Sequence, residues 1–413
     1  METSSVARVG VSGTGMIARS FVQLIANHYK DMRIARVLTR RPLASLADFP
    51  LPAALTCSLN DLVDHADIIV ECSGDVVHGT EVIERAFAAG LPVVTVNAEL
   101  QVTTGSYLAA RGLLTEAEGD QPGSLAALRE DALQMGFVPL VYGNMKGYLN
   151  LDPSPDEMAY WASRQGISVE QTTSFTDGTK LQIEQALVGN CFGATITHQG
   201  MEGLASTSLN ESASMLGMMA DRLGQPIVDY LIPQGYPAGG VFLVCRHDTD
   251  QVPTLDYLKL GSGPYYALLR PFHLCSLEVG KTLRRVLAGR GVLINNSTKP
   301  TLSVAAIAKH PMRAGEAIVR GIGGYQFRGE TLLIAQNPDH VPIGLLAQAT
   351  LRRPLEPGQM VTFDDVELMP SRALDIVMQQ RLDLATPEFL LSPWRPQPAQ
   401  DSHLQPPLLQ VGS

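Results

Sequence analysis

An α/β chain in three parts is predicted by three features of the sequence. The first is a glycine-rich turn, Gly10-Val-Ser-Gly13-Thr14-Gly15-Met16-Ile17-Ala18. It lies between a short apolar strand (6–11) and a helix whose inward face reads Ile17, Phe21, Leu24 and Ile25. The second is an alternation of strand and helix patterns up to about residue 142. Its apolar, β-branched runs at 34–38, 68–72, 92–96 and 137–142 suit parallel strands buried on both faces. The third is a change after residue 300 to short strands broken by Gly and Pro, in which 311–318 is echoed by 354–361.

The expected architecture is an N-terminal Rossmann domain (1–142), an α+β central domain (143–300) that holds the candidate catalytic residues, and a small all-β C-terminal domain (301–370). A last section (371–413) starts with a short helix (372–382), and its Pro- and Gln-rich tail beyond Pro387 is expected to be disordered.

Strand–turn–helix context makes the glycine run a dinucleotide fingerprint. Gly13 suits a tight turn, Gly15 lets backbone approach a pyrophosphate, and small Ala18 allows close helix–strand packing. Gly10, Thr14, Met16 and Ile17 complete the phosphate-facing turn, at the positive end of the helix. The second strand ends in Thr39-Arg40-Arg41. A carboxylate there would hold a ribose 2′-hydroxyl; two arginines suit a 2′-phosphate, so NADP(H) is the expected cofactor. Strand-end segments Ser73-Gly74 and Asn97-Ala98-Glu99 should border the nicotinamide, although turn chemistry would explain the same residues.

Composition excludes several classes. With 45% hydrophobic and 17% charged residues among 413, a packed globular protein is expected. A net charge of −10 without a basic tract gives no support to nucleic-acid binding, and no apolar run is long enough for a membrane span. Five unpatterned cysteines and the lack of an apolar leader suggest reduced thiols in the cytoplasm.

The central section carries the candidate chemistry. Lys146 lies between two glycines in Gly143-Asn-Met-Lys-Gly147, where backbone and ammonium can converge on an anion or carbonyl. Asp177-Gly-Thr-Lys180 precedes Glu184, and the i, i+4 spacing puts Lys180 and Glu184 on one helix face. There a lysine can polarise a carbonyl while Asp177 or Glu184 relays protons or binds a divalent ion. An N-cap with a surface ion pair is the plainer reading. Asp120 suits either a ligand contact or a helix cap. Arg270 and His273, in Arg270-Pro-Phe-His273, offer a phosphate or carboxylate clamp and a hydrogen bond, or a structural pair.

The strand end Thr95-Val-Asn97-Ala98 resembles the homoserine dehydrogenase family, with Ala98 where that family has a lysine. The resemblance is closer to a branch with a C-terminal SAF (β-clip) domain, whose type is the 1-deoxy-D-xylulose 5-phosphate reductoisomerase-like enzyme. It is carried by Asn97-Ala98-Glu99, Gly119-Asp120-Gln-Pro-Gly123, Gly143–Gly147, Ser174–Lys180, Gly263-Pro-Tyr-Tyr266 and Arg270–His273, with Gly315, Gly358 and Val341–Leu345 for the SAF unit. It implies NADPH-dependent reduction of a small hydroxy-carbonyl compound, coupled in the type reaction to a skeletal rearrangement that yields an isoprenoid precursor. It also implies a divalent metal, magnesium or manganese, and a homodimer or higher homo-oligomer. A plain alcohol or semialdehyde dehydrogenase and a nucleotide-gated binding or regulatory protein stay open.

Overall fold

The computed structural model describes residues 6–236 and 238–384. Six parallel strands form the first sheet: β1 (Ala7–Ser12), β2 (Met32–Leu38), β3 (Leu55–Thr56), β4 (Ile68–Glu71), β5 (Val93–Thr95) and β6 (Leu114–Glu116), in the order β3-β2-β1-β4-β5-β6. Val9, Val11, Ile68, Val70 and Val94 are fully buried because helices cover both faces. The strand order reverses beside β1, so the turns after β1, β4, β5 and β6 open on one crevice.

The run at 137–142, expected as a further parallel strand of this sheet, belongs elsewhere. It is part of β7 (Val138–Met145), inside a second, mixed sheet with β8 (Leu204–Ser206), β9 (Ile227–Pro233), β10 (Val241–Arg246) and β11 (Tyr266–Arg270), in the order β11-β10-β7-β9-β8. It pairs parallel to β9 and antiparallel to β10. A short apolar run specifies burial but not its hydrogen-bonding partner. The partner here follows from Gly143, which lies opposite Phe242 and leaves room for that ring.

The chain then returns to the first domain, so the nucleotide unit is discontinuous in sequence. Helix Cys275–Leu287 buries Val279, Leu283 and Val286 against the first helix (Met16–His28). Arg284 pairs with Asp31 at 2.7 Å, and the Glu116 N–H donates to the Ile294 carbonyl at 2.8 Å.

At the C-terminal side, β12 (Leu302–Ala308), β13 (Ala317–Arg320), β14 (Phe327–Leu333), β15 (Ala347–Leu351) and β16 (Val366–Glu367) form two small antiparallel sheets, β12-β14 and β13-β15-β16. The sequence echo is structural: Gly315 and Gly358 have φ of +83° and +82°, and Met312 and Leu355 bridge each other. Helix Arg372–Leu384 follows, and Arg372 binds Glu84 at 2.7 Å on the first domain. The expected tail beyond Pro387 lies outside the described residues.

One helix, Thr179–Phe192, runs through the middle of the molecule. Every residue from Thr179 to Asn190 is buried, with β7, β9, β12 and β14 packed around it. Its polar side chains are accordingly partnered: Gln185 donates to the Tyr142 and Asp229 carbonyls, and Asn190 accepts from the N–H groups of Thr301 and Leu302.

A Cβ at Gly143 would overlap the Phe242 ring. Gly143→Val is therefore expected to cost about 2–3 kcal/mol through overpacking between paired strands. Thermal unfolding that left the midpoint unchanged would contradict the role given to this glycine.

Candidate active site

The crevice begins at the glycine turn. Gly13 has φ +117°, and a Cβ there would lie 2.7 Å from the Cys72 carbonyl oxygen, so only glycine fits. Gly15 is the N-cap of helix Met16–His28, with no side-chain cap and no acidic residue in the first turn. Nothing lies within 4 Å of the Cβ it lacks. An open, uncapped, carboxylate-free helix start fits a dinucleotide pyrophosphate. Gly10, by contrast, faces Ile69, Ala66 and Leu62 inside the core and allows close packing there. Ala18 is fully buried at the helix–strand contact.

Thr39 stands beside the turn, its hydroxyl 3.2 Å from that of Thr14, and it accepts from the Arg41 N–H. Arg41 is exposed, whereas Arg40 is held by Asp75 at 2.7 Å. Both arginines remain exposed beside the turn.

At the ends of β4 and β5 the expected nicotinamide contacts are largely committed to Glu71, a residue with no motif of its own in the sequence. Glu71 is fully buried; its carboxylate accepts from the Ser73 N–H and hydroxyl, the Thr95 hydroxyl and the Asn97 side chain. Burial pushes the Glu71 carboxyl up in spite of these donors. Asn97 also caps the next short helix by accepting from the Leu100 N–H. Ser73 and Asn97 thus shape the crevice floor, and Gly74, with φ +66° and open space around it, leaves room above.

Glu99, expected beside the cofactor, pairs with Lys180 at 3.1 Å. Asp120 Oδ2 and Glu184 Oε1 each stand 3.9 Å from the same ammonium. Burial lowers the Lys180 pKa, but the surrounding carboxyl groups, Glu99 and Asp120 foremost, outweigh it and raise it well above the ordinary lysine value. Asp120 occupies the N-cap position of helix Gln121–Gln134, yet its side chain makes no cap bond. Of the two roles open to it in sequence, the site contact is the one its geometry fits.

Glu184 is buried and accepts from Asn144 at 3.3 Å; Asn144 is in turn locked to Gln121. Burial, assisted by Asp120 and Glu99 and opposed by the two lysines, pushes the Glu184 carboxyl up to about 8. Lys146, half-buried just after β7 and 5.6 Å from the Phe175 ring centre, is shifted the other way. Burial and the Lys180 charge lower its pKa against the pull of Glu184, Asp120 and Asp177. The two lysines are thus shifted in opposite directions, Lys180 up and Lys146 down.

Asp177 does not join this set as a free carboxylate. It pairs with Lys309, from the chain just after β12, at 2.7 Å with both side chains essentially inaccessible. It also accepts from the Thr179 N–H at the start of the central helix. The structure therefore makes Asp177 an anchor for the helix that presents Lys180 and Glu184. The only sequence sign of Lys309 was a lysine directly after the fully buried run 302–308.

Arg270 is likewise engaged, by Glu118 at 3.0 Å and by Glu278, and Lys281 binds the same two carboxylates. That network ties β11 to helix Cys275–Leu287 through Nη2 of Arg270. His273 is exposed on the following loop, close enough to Gly119 and Asp120 to interact with them. Among the described residues no group of three or more His, Cys, Asp or Glu side chains is arranged to hold a metal ion. The site carboxylates turn instead onto Lys180. No helix among the described residues is long and apolar enough to cross a membrane.

Two tests follow from this geometry. Gly15→Asp supplies an N-cap carboxylate in open space, so the fold should be as stable or more so while nicotinamide dinucleotide affinity falls about tenfold or more; titration by protein fluorescence measures it, and unchanged affinity would refute the phosphate site. For Glu184, the folded state holds a proton more tightly than the unfolded chain does. Its contribution is complete below the ordinary carboxyl pKa of 4.5 and is lost as pH rises toward about 8. Unfolding free energy should therefore decline over that interval, and less steeply in Glu184→Gln, by denaturant titration at several pH values.

Residues 13–117 match the homoserine dehydrogenase NAD-binding domain, and residues 119–279 match the catalytic domain of oxidoreductase DRL. No curated protein matches the chain. Among solved structures it is similar to a homoserine dehydrogenase from Thiobacillus denitrificans, at 15% identity over 92% of this chain and 95% of that one, with a TM-score of 0.44. It is also similar to UDP-N-acetylglucosamine 3-dehydrogenase from Acidithiobacillus ferrooxidans, at 12% identity over 70% and 92% of the two chains, with a TM-score of 0.41. A biliverdin reductase from Synechocystis follows at 12% identity, 71% and 94% coverage and a TM-score of 0.38. These likenesses are distant, and the two family matches carry what is established: a homoserine dehydrogenase-type NAD-binding domain at residues 13–117 and a DRL-type oxidoreductase catalytic domain at residues 119–279.

Proposed function

We propose that this protein is an NADPH-dependent oxidoreductase that reduces a small, phosphorylated hydroxy-carbonyl compound, with Lys146, Lys180 and Glu184 around the reacting oxygen. The observation that carries the reading is Lys180. A buried ammonium, fixed by Glu99 and Asp120 from the ends of β5 and β6, stands where an open parallel sheet binds its ligand. The nicotinamide, when bound, supplies the hydride. Lys180 stabilises negative charge developing on the substrate oxygen, and Lys146, with its lowered pKa, exchanges the proton that oxygen gains or loses. Glu184, with a carboxyl near 8, offers a second proton at neutral pH.

NADP preference is supported by exposed Arg41 and by Thr39, rather than a carboxylate, at the end of β2. The substrate class follows the reductoisomerase-like resemblance: 1-deoxy-D-xylulose 5-phosphate to 2-C-methyl-D-erythritol 4-phosphate, in which the skeleton rearranges before reduction. A second reading, a homoserine dehydrogenase-like alcohol or semialdehyde dehydrogenase, is favoured by the same lysine pair, which suffices for hydride transfer without rearrangement. The paired glycine turns at Gly315 and Gly358 support reading the C-terminal sheets as a SAF-type unit. We place the enzyme in the cytoplasm as a homo-oligomer whose partners are small molecules, not nucleic acid or membrane.

The test is NADPH and NADH oxidation with 1-deoxy-D-xylulose 5-phosphate, with and without magnesium or manganese, and product identification by NMR. Turnover to the branched tetritol phosphate is expected, with NADPH preferred. Lys180→Met should lower kcat/KM by about 10²–10³-fold while NADPH still binds. Binding of NADPH without turnover would overturn the reductoisomerase reading, and reduction of an unrearranged aldehyde would establish the second one. A nucleotide-gated regulatory protein would instead tolerate loss of both lysines.

A further inference from the structure

Behind Lys180 lies a carboxyl that no step above uses. Glu116, the last residue of β6, is completely buried, and among the described residues no hydrogen-bond partner reaches either of its oxygens. Its neighbour Asp120 also has one carboxylate oxygen, Oδ2, buried without a hydrogen bond. The two carboxyls face each other closely enough to hydrogen-bond once one of them carries a proton. Beside them the Gln101 amide is buried with neither atom bonded. The other ionisable groups facing this spot are Lys180, from the central helix, and the Cys275 thiol, from helix Cys275–Leu287.

Two ionised carboxylates in such a place would repel each other and forgo hydration that no hydrogen bond to these oxygens replaces. A single shared proton removes both penalties, since the neutral acid becomes the donor its partner lacks. We propose that Glu116 is a neutral carboxylic acid at physiological pH that donates a hydrogen bond to Asp120 and so aims the Asp120 carboxylate at Lys180.

Glu116 is then a positioning residue that acts through Asp120. The arrangement also balances charge. Glu99, Asp120, Glu184 and Glu116 surround Lys180, and with Lys146 they would leave the crevice with an excess of negative charge if all four were ionised. Burial and the adjacent Asp120 push the Glu116 carboxyl well above its ordinary value, against weaker opposing effects of Lys180 and Gln101.

The inference concerns the same site as the proposed function, but its test reads the protein alone and so fails or succeeds independently of substrate. Infrared difference spectra of the full-length protein at neutral pH, in H2O and D2O, are compared with those of Glu116→Gln. The expected result is a deuterium-sensitive carbonyl band of a protonated carboxylic acid that disappears in the variant; the Glu184 band is common to both spectra. Loss of a carboxylate band instead would show that Glu116 is ionised and would overturn the proposal. Should Glu116→Gln not fold, Asp120→Ala provides the second test. Removal of the acceptor should move the acid band to higher frequency, and an unmoved carbonyl region would again overturn the proposal.

Discussion

The arrangement of the whole molecule depends on the burial of one ammonium group. A lysine taken out of water needs several nearby oxygens to remain charged, and Lys180 finds them on separate elements: Glu99 after β5, Asp120 after β6 and Glu184 one turn along its own helix. Those partners lie on the nucleotide sheet and on the central helix. The requirement that satisfies the charge therefore docks the second domain onto the crevice of the first.

Central helix Thr179–Phe192 is the part that transmits this requirement. It is buried on every side, and a buried helix tolerates polar residues only where each has a partner. Gln182, Gln185 and Asn190 are spent on backbone groups of the surrounding strands. Asp177 and Lys309 form a closed pair at the helix start and bring the C-terminal sheets into the support of the site. The C-terminal region thus bears directly on how Lys180 and Glu184 are presented, although it contributes neither.

Legibility differed from residue to residue for physical reasons. The phosphate turn was readable because its constraints are local: a positive φ at Gly13 and open space at Gly15 leave their mark on adjacent positions. The i, i+4 relation of Lys180 and Glu184 is local too. Glu116, Gln121, Asn144 and Lys309 carry no such mark, because each matters through a neighbour far away in sequence. The same non-locality paired Glu99 with Lys180, drew Arg270 into an ion network and made Asp177 an anchor.

By itself the sequence determined the α/β class, the parallel sheet with its dinucleotide turn, the helix carrying Lys180 and Glu184, and the repeated glycine turns near the C-terminus. These depend on periodicity and on backbone conformations that particular residues favour, which operate within a few positions. The tertiary structure alone decided that β7 joins the second sheet, that helix Cys275–Leu287 returns to the first domain, and which charged side chains remain free to act. Strand partners and ion pairs are settled by packing and desolvation among segments distant in the chain, and nothing in a local pattern records which segments those will be.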